Sequence, residues 1–451
     1  MKSKKNSKFW LTLVIFSLVG QIAWVVENMY FNVFIYKMFN ASAKDISMMV
    51  ALSAISATLT TIFIGALSDK LGKRKIFMSL GYILWGISIL SFALIRKDII
   101  SNVFGAAVNS ATVGVSLVII MDCVMTFFGS TANDACYNAW LTDSTDSTNR
   151  GKAEGINSMM PLIAILAVFG GFMGFDLDKS SSWTWIYIII GAVVLLIGVV
   201  GFFIIDEANV KTEDDLSYFK TILYGFRPSV IKKEKKLYFT LIAFVIFNIS
   251  IQVFMPYLII YYEKTLGMAN YVLIMAPAII LAAVFTALFS KQYDKRGFDV
   301  VFIPLALITL GYIMLFLFPF VIKTEGVFNT ILVFVGSCLM LSGFLSGMAI
   351  FGAKVRDETP LNMAGRFQGL RIVGQVLIPG VVGPFIGAQV LKNAEMIVNS
   401  DGTESFLPNN NIFLAALIVM LVLVCLIVLY KKVSKKESKE NKTEELWNIN
   451  V

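Results

Sequence analysis

The sequence contains no histidine and only four cysteines, and charged residues make up just 15% of its 451 residues. Without histidine there is no His-based triad, His zinc site or His proton relay. The cysteines lie inside apolar runs without CxxC spacing, which argues against a disulfide framework or a cysteine metal site. An ordinary soluble domain has about 25% charged residues. The chain therefore has too few charges to cover a soluble surface.

Apolar residues, 57% of the chain, fill long blocks instead. Each block has about 20 residues or more, the length that crosses roughly 30 Å of hydrocarbon. We therefore predict an all-α membrane protein with twelve transmembrane helices. We also predict that the protein is not an enzyme. The predicted spans are 9–36, 45–68, 76–95, 113–141, 157–177, 183–205, 238–262, 270–290, 300–321, 328–353, 369–391 and 411–430.

Lysine and arginine are unevenly distributed between the two sides of these spans. With the N-terminus inside, only 8 of the 38 basic residues lie outside: Lys37, Lys44, Arg96, Lys97, Lys179, Lys264, Lys323 and Lys392. This positive-inside bias predicts a plasma-membrane protein with both termini in the cytoplasm. The net charge of +8 then reflects topology and contact with anionic lipids rather than nucleic-acid binding.

The chain divides into two six-span halves. We predict an N-terminal half over 1–205, a cytoplasmic linker over 206–237, a C-terminal half over 238–430 and a cytoplasmic tail over 431–451. We expect the charged part of the tail, 431–446, to be unstructured. Apolar residues at helical spacing in the linker predict a helix lying on the membrane surface. They are Tyr218, Phe219, Ile222, Leu223 and Phe226.

Two loop motifs recur in both halves, which makes the halves pseudo-symmetric. A D-K-x-G sequence follows span 2, from Asp69 to Gly72, and also span 8, from Asp294 to Gly297. The second motif follows span 4 and span 10, where Asp357 and Gly365 lie the same 214 residues after Asp143 and Gly151. A duplicated six-helix unit explains both recurrences.

Twelve spans in two halves and the loop Gly65-Ala-Leu-Ser-Asp69-Lys-Leu-Gly72-Lys-Arg74-Lys resemble the major facilitator superfamily. The resemblance covers residues 9–430 and implies transport by rocking of the two halves around a central site. It implies a gating role for the loop residues of both halves. These are Gly65, Asp69, Gly72, Arg74, Asp143, Arg150, Asp294, Asp357 and Arg366.

Three acidic residues remain inside the spans: Glu27, Asp122 and Asp134. An ionisable group at membrane depth is costly, which makes each a functional candidate. On span 4, helical spacing places Asp134, Tyr137 and Asn138 on one face, and such a stripe offers a polyol hydrogen bonds and a stacking surface. We expect Asp122, twelve residues before Asp134, to lie in an outer vestibule.

The segment from Thr131 to Thr145 resembles the glycoside–pentoside–hexuronide:cation symporters, of the melibiose carrier type, and the related sucrose:proton carriers. In those families an aspartate on span 4 lies at the cation and sugar sites, which implies this role for Asp134. Their sugar-binding acid on span 1 corresponds here to Gln21. Span 2 lacks the acids of the sodium-linked members, although Thr58 and Thr61 could complete a sodium site around Asp134. Otherwise the coupling ion is a proton carried by Asp134 or Glu27.

Further polar residues complete the predicted substrate site. On span 1, Gln21, Trp24 and Asn28 share a helix face. Asn248 and Gln252 on span 7 are one turn apart, and so are Arg371 and Gln375 on span 11. We expect the first half to hold the charge and the second half to be polar but neutral.

The sequence thus predicts a monomeric transporter, most simply a cation-coupled sugar or glycoside symporter without a cofactor. The alternative is a proton-driven exporter of drugs or metabolites, because a GxxGPxxG-like run from Gly380 to Gly387 lies on span 11. A membrane sensor or scaffold would have no use for three buried acids.

Overall fold

The computed structural model describes residues 7–105, 107–145, 149–207, 223–321, 326–360, 369–399 and 402–449. It contains twelve helical segments long and apolar enough to span a membrane, as predicted. These spans are Ser7–Phe39, Ala43–Leu71, Arg74–Leu94, Ser110–Asp143, Arg150–Phe172, Ser180–Ile204, Lys235–Thr265, Val272–Tyr293, Gly297–Val321, Val327–Glu358, Gly369–Val390 and Asn411–Lys432.

Local sequence sets the ends of span 2. Ser42 caps its N-terminus: the Ser42 hydroxyl accepts from the Asp45 backbone N–H, and the Asp45 carboxylate accepts from the Ser42 N–H. The helix ends at Gly72, whose φ of 63° is the left-handed conformation that glycine adopts without strain. The D-K-x-G motif is therefore a helix C-terminus followed by a tight turn.

Glycine allows close packing of neighbouring spans within each half. A Cβ added at Gly86 of span 3 would lie 2.4 Å from the Leu195 nitrogen of span 6. In the second half, a Cβ at Gly343 of span 10 would lie 2.4 Å from the Ile308 nitrogen of span 9. Backbones that approach this closely gain dispersion energy that larger residues would prevent.

The two halves are joined at the side of the molecule opposite the termini. Between described residues, all hydrogen bonds and ion pairs that link the halves lie at that side. Further in, span 2 packs on span 11, where Gly380 lies against Ala54. The described conformation is therefore closed on the side opposite the termini, which we call the outer side.

Three features outside the spans differ from the sequence predictions. An antiparallel hairpin between spans 11 and 12, with strands Met396–Val398 and Glu404–Phe406, adds a small β element to an otherwise helical fold. A short helix, Lys97–Phe104, follows span 3. The prediction of an unstructured tail is wrong, because the helix of span 12 continues to Ile449.

The linker is described only in part. Residues 208–222, which include most of the predicted surface helix, lie outside the described residues. The remainder forms a 3₁₀ turn, Leu223–Phe226, and a short helix, Pro228–Lys233. The Tyr238 hydroxyl of span 7 donates to the Gly225 carbonyl, so the end of the linker is fixed to the second half.

Candidate functional site

Glu27 lies in a buried polar cluster between spans 1, 2 and 4. Its side chain is only 6% exposed. The hydroxyls of Ser53 and Thr126 each donate to Glu27 Oε1 at 2.8 Å, and they are 2.8 Å from one another. Glu27 Oε2 is also buried and accepts no hydrogen bond from a described residue. The carboxylate thus has two donors on one oxygen and unused acceptor capacity on the other.

Asp122 belongs to this cluster, so the prediction of an outer-vestibule residue is wrong. Its side chain is 1% exposed, and its Oδ1 accepts no hydrogen bond from a described residue. It lies one helical turn before Thr126 on span 4, and the Thr126 hydroxyl donates to Glu27. Spacing along one helix could not reveal this neighbour, because it depends on how span 4 packs against spans 1 and 2.

Asp134 lies at a different level of span 4, in a π-helical segment, Ser130–Tyr137. The Ser130 hydroxyl donates to Asp134 Oδ2 at 2.9 Å, and the half-buried carboxylate has no basic partner among the described residues. Asn138 is exposed one turn further along and donates to the Asp134 carbonyl at 3.1 Å. Asp134 and Asn138 therefore share a face, as the sequence predicts.

Tyr137 does not share this face, so its predicted orientation is wrong. It is buried inside the first half, where its hydroxyl donates to Asn157 Oδ1 at 2.9 Å and lies 3.3 Å from the Leu13 carbonyl. The prediction assumed 3.6 residues per turn throughout. A π-helical segment has a wider turn and rotates the following residues away from that register.

The span 1 candidates border the same region. Gln21 and Trp24 are half-buried, and Asn28 is exposed. The Trp24 ring packs against Trp85 with centroids 5.0 Å apart, and its Nε1 is buried without a described partner. The side chain of Asn28 donates to the Trp24 carbonyl at 2.8 Å. Glu27 itself falls in a second π-helical segment, Val26–Tyr30.

The span 2 threonines form hydrogen bonds within their own helix and none with Asp134 among the described residues. The Thr58 hydroxyl donates to the Ala54 carbonyl and the Thr61 hydroxyl to the Ala57 carbonyl, both at 2.8 Å within their own helix. On span 2 it is Ser53 that donates to an acid, Glu27, which also accepts from Thr126 of span 4. A role of Thr58 and Thr61 as sodium ligands stays a prediction, because each hydroxyl oxygen can still accept. The described residues contain no group of three or more His, Cys, Asp or Glu suited to a metal ion.

The second half contributes one charge that the sequence prediction treated as absent. Arg371 of span 11 is half-buried, and its Nε is buried without a described partner. The expectation of a neutral second half is therefore wrong. Gln252 and Gln375 are half-buried, the latter in a π-helical segment, Val373–Leu377. Asn248 is buried and donates to the Phe244 carbonyl at 2.9 Å.

Arg74 is the centre of the predicted gate in the first half. Its guanidinium is buried and pairs with Asp69, with Asp143 at 3.0 Å and with the Ser68 hydroxyl at 2.6 Å. The Arg74 backbone N–H donates to Glu207 at 2.5 Å. These contacts join the ends of spans 2, 3 and 4 and the start of the linker, all on the side of the termini.

The other predicted gating residues are less concentrated. Gly65 lies on span 2, where its carbonyl accepts from the Ser68 hydroxyl. Arg150 lies 3.4 Å from the Thr145 carbonyl at the surface. In the second half, the Tyr293 hydroxyl donates to Asp357 at 2.5 Å. The side chain of Asp294 and all of Arg366 lie outside the described residues.

A cross-half ion pair at the outer side has no counterpart in the sequence predictions. Lys37, at the end of span 1, lies 2.5 Å from Glu263 of span 7 and 3.1 Å from Asp178. The side chains of Lys37 and Glu263 are only 5% and 13% exposed. Lys264 also lies 3.7 Å from Asp178. No sequence motif marks these residues, which become partners only when the halves meet.

The hairpin reinforces this closure. The Tyr36 hydroxyl donates to the Phe406 carbonyl at 2.7 Å, and Asn40 Oδ1 lies 3.4 Å from the Ser405 hydroxyl. Deeper in, the Tyr257 hydroxyl donates to the Ala43 carbonyl at 3.0 Å. Together these contacts seal the outer end of the interface between the halves.

Comparisons with known proteins agree with this architecture. A family model described as Major Facilitator Superfamily matches residues 9–384. The crystal structure of the nucleoside transporter NupG is similar with a TM-score of 0.64 and 14% identity, over 96% of this chain and 100% of that chain. A bacterial homolog to the human lysosomal transporter Spinster, inward-facing and occupied, has a TM-score of 0.64 and 15% identity, over 95% and 98% of the two chains. A search of the curated proteins finds no match.

Proposed function

The chain belongs to the major facilitator superfamily of transporters, and we propose that it carries a sugar or glycoside together with a cation, either a proton or sodium. The observation that carries this proposal is the placement of Asp134. It is a half-buried carboxylate at membrane depth, on one face with the exposed Asn138 and without a basic partner among the described residues. A carboxylate in this position is suited to bind a cation and a hydroxylated solute.

Coupling follows from the cost of that charge. An ionised carboxylate in a low-dielectric, closed transporter is unfavourable unless a cation neutralises it. With solvent access, the charge is tolerated while the cavity is open. Cation binding to Asp134 therefore lowers the barrier to closing the cavity around ion and solute, which links their movement.

The exposed and half-buried polar groups of spans 1 and 4 support a polyhydroxylated solute. Gln21, Asn28 and Asn138 offer amide donors and acceptors, and the Trp24 ring offers an apolar surface. The resemblance of the Thr131–Thr145 segment to glycoside symporters favours the same class. The NupG structure is titled a nucleoside transporter, and nucleosides also contain a sugar, so they belong in any substrate panel.

We also place the protein in the plasma membrane as a monomer, with both termini in the cytoplasm, on the distribution of lysine and arginine. The described conformation would then be open toward the cytoplasm and closed toward the outside. The cross-half contacts described above support the closure at the side opposite the termini.

The test is Asp134→Asn in proteoliposomes, after a thermal-shift screen of sugars and nucleosides has identified a ligand. Asparagine keeps the size and hydrogen bonding of the side chain but removes the charge. We expect accumulation against a gradient to be lost, while exchange of solute across preloaded vesicles persists at least in part. Asp98→Asn, an exposed carboxylate at the outer surface, is the control and should transport normally.

A variant that still concentrates solute at the wild-type rate would remove Asp134 from coupling. Loss of folded protein with normal uptake per folded molecule would instead assign Asp134 a structural role. Both outcomes are read from the same preparation if uptake is normalised to the amount of monodisperse protein.

The exporter alternative rests on the glycine run of span 11. Gly383 and Gly387 pack span 11 against span 7, where an added Cβ would lie 2.4 Å from Gln252 Cβ and 2.3 Å from the Val253 carbonyl oxygen. Gly380 packs it against Ala54 of span 2. Helix packing thus accounts for the run without an export function. We therefore favour symport, and the direction of ion-driven flux distinguishes the two.

A further inference from the structure

We propose that Glu27 and Asp122 form a proton-binding site that is separate from Asp134 and holds one proton between the two carboxyl groups. The inference deepens the proposed function, on which its contribution to transport rests. Its evidence is the buried cluster between spans 1, 2 and 4, which the role of Asp134 does not use.

The geometry places Asp122 beside the hydroxyl pair that binds Glu27. Ser53 and Thr126 donate to Glu27 Oε1 at 2.8 Å. Thr126 is one helical turn from Asp122, about 6 Å along span 4, and on the same helix face. Asp122 therefore lies one turn from a hydroxyl that donates to Glu27, and both acids are buried in one cluster.

Each acid has an oxygen that no described residue satisfies. Glu27 Oε2 and Asp122 Oδ1 accept no hydrogen bond from a described residue. Water cannot easily replace the missing donors, because both residues are more than nine-tenths buried. Two ionised carboxylates in such surroundings would repel one another and lose their hydration. A single proton removes one charge and supplies the missing donor, since the new O–H of one carboxylic acid can donate to the other carboxylate.

The groups that face this pair include no base. Among the described residues, no lysine or arginine forms an ion pair with either acid. The titratable groups that interact with Asp122 or Glu27 are Cys123 of span 4, Tyr187 of span 6 and Asp134. The Tyr187 hydroxyl is itself buried without a described partner. A proton is thus the neutralising charge that this part of the protein can accept.

The buried cluster between spans 1, 2 and 4 suits a proton better than a metal cation. Both acids are buried between spans of the first half, and Asp122 is only 1% exposed. A metal ion would have to lose its hydration shell and gather several oxygen ligands at once. The Ser53 and Thr126 hydroxyls already direct their hydrogens at Glu27, which suits an anionic acceptor beside a protonated acid.

The test is infrared spectroscopy of the full-length protein in detergent or nanodiscs, in sodium-free choline buffer. Difference spectra between acidic and alkaline pH report the C=O stretching band of protonated carboxylic acids. We expect wild type to show a buried carboxylic-acid band that disappears or shifts in both Glu27→Gln and Asp122→Asn. The band should persist in Asp134→Asn and in the exposed control Asp98→Asn.

Thr126→Val keeps the shape of the side chain and removes one donor to Glu27, so it serves if the acid variants fail to fold. We expect it to move the pH at which the band appears by about one unit, the size of a single hydrogen bond to a charged group. The pH should be unchanged in Thr112→Val, a threonine on the same span away from the cluster.

The proposal is overturned if the band is unaltered in the folded Glu27 and Asp122 variants and in Thr126→Val. It is also overturned if sodium, at constant pH and ionic strength, removes the band and choline does not, because the pair would then be a sodium site. Since the infrared measurement needs no solute, a negative result would not contradict the proposal of sugar symport. Conversely, a failed uptake assay leaves the proton site untouched.

Discussion

The outer ion pair between Lys37 and Glu263 should set the balance between the two main conformations. The pair joins span 1 to span 7 at 2.5 Å and exists only while the outer side is closed. We expect Glu263→Gln to destabilise the closed arrangement relative to one that is open to the outside. Glutamine fills the same space, so the change is mainly electrostatic.

The free-energy change caused by Glu263→Gln depends on how deeply the pair is buried and on which partners remain for Lys37. Removing one member of a well-buried pair costs about 3–5 kcal/mol. Here Lys37 keeps Asp178 at 3.1 Å, and opening would rehydrate both side chains, so we expect about 1–3 kcal/mol. That energy changes the ratio of the two conformations by roughly 5- to 150-fold.

The assay is a spin-label distance measurement across the outer side. Labels at Val103 and Val327 would suit it, because both residues are exposed and they belong to opposite halves. The cysteines of the native chain are replaced first. We expect Glu263→Gln to increase the population with a long distance, and Lys37→Met combined with Glu263→Gln to add little further.

An unchanged distance distribution in Glu263→Gln would refute the reasoning, because the pair would then carry no energy specific to the closed arrangement. Strict additivity of the Lys37 and Glu263 changes would refute it as well, since paired residues must couple. Glu404→Gln, a carboxylate in the hairpin with no ion pair among the described residues, is the matched control.

Three further predictions concern topology, the inner contacts and packing. Cysteines placed at 98–102 should label from outside and those at 212–216 only after permeabilisation; the reverse pattern would overturn the orientation. Asp69→Asn should slow transport more than it lowers expression, because it weakens the contact with the buried Arg74 guanidinium; unchanged kinetics would leave Asp69 only a role in the loop. Gly86→Ala should destabilise the protein by about 1–3 kcal/mol in thermal unfolding because its Cβ meets the span 6 backbone, whereas Gly170→Ala, with no atom within 4 Å, should not.

The spans could be predicted because hydrophobic length is a property of each segment alone. Helix breakers such as Gly72 and the apolar runs set most limits to within a few residues, although span 5 runs over Arg150–Phe172 rather than 157–177. The hairpin at 396–406 was not predictable in the same way. Its strands have three residues each and are held by contacts with Tyr36 and Asn40 of the other half.

The site was predictable only in part, for two physical reasons. The face shared by Asp134 and Asn138 follows from helical spacing, but the π-helical segment rotates Tyr137 away from it. The Glu27–Asp122 pair and the Lys37–Glu263 pair join residues on different helices. Such contacts depend on the order and angle of helix packing, which no single-segment pattern contains.

The most direct test of the account is the ion movement that accompanies solute entry. Proteoliposomes containing the purified protein and a pH- or sodium-sensitive dye receive the solute found by the thermal-shift screen, with no ion gradient imposed. The account predicts that solute entry drives a proton or sodium ion into the lumen, and that Asp134→Asn abolishes this ion movement. Solute entry without ion movement in the wild type, or ion movement in the opposite direction, would contradict cation-coupled symport.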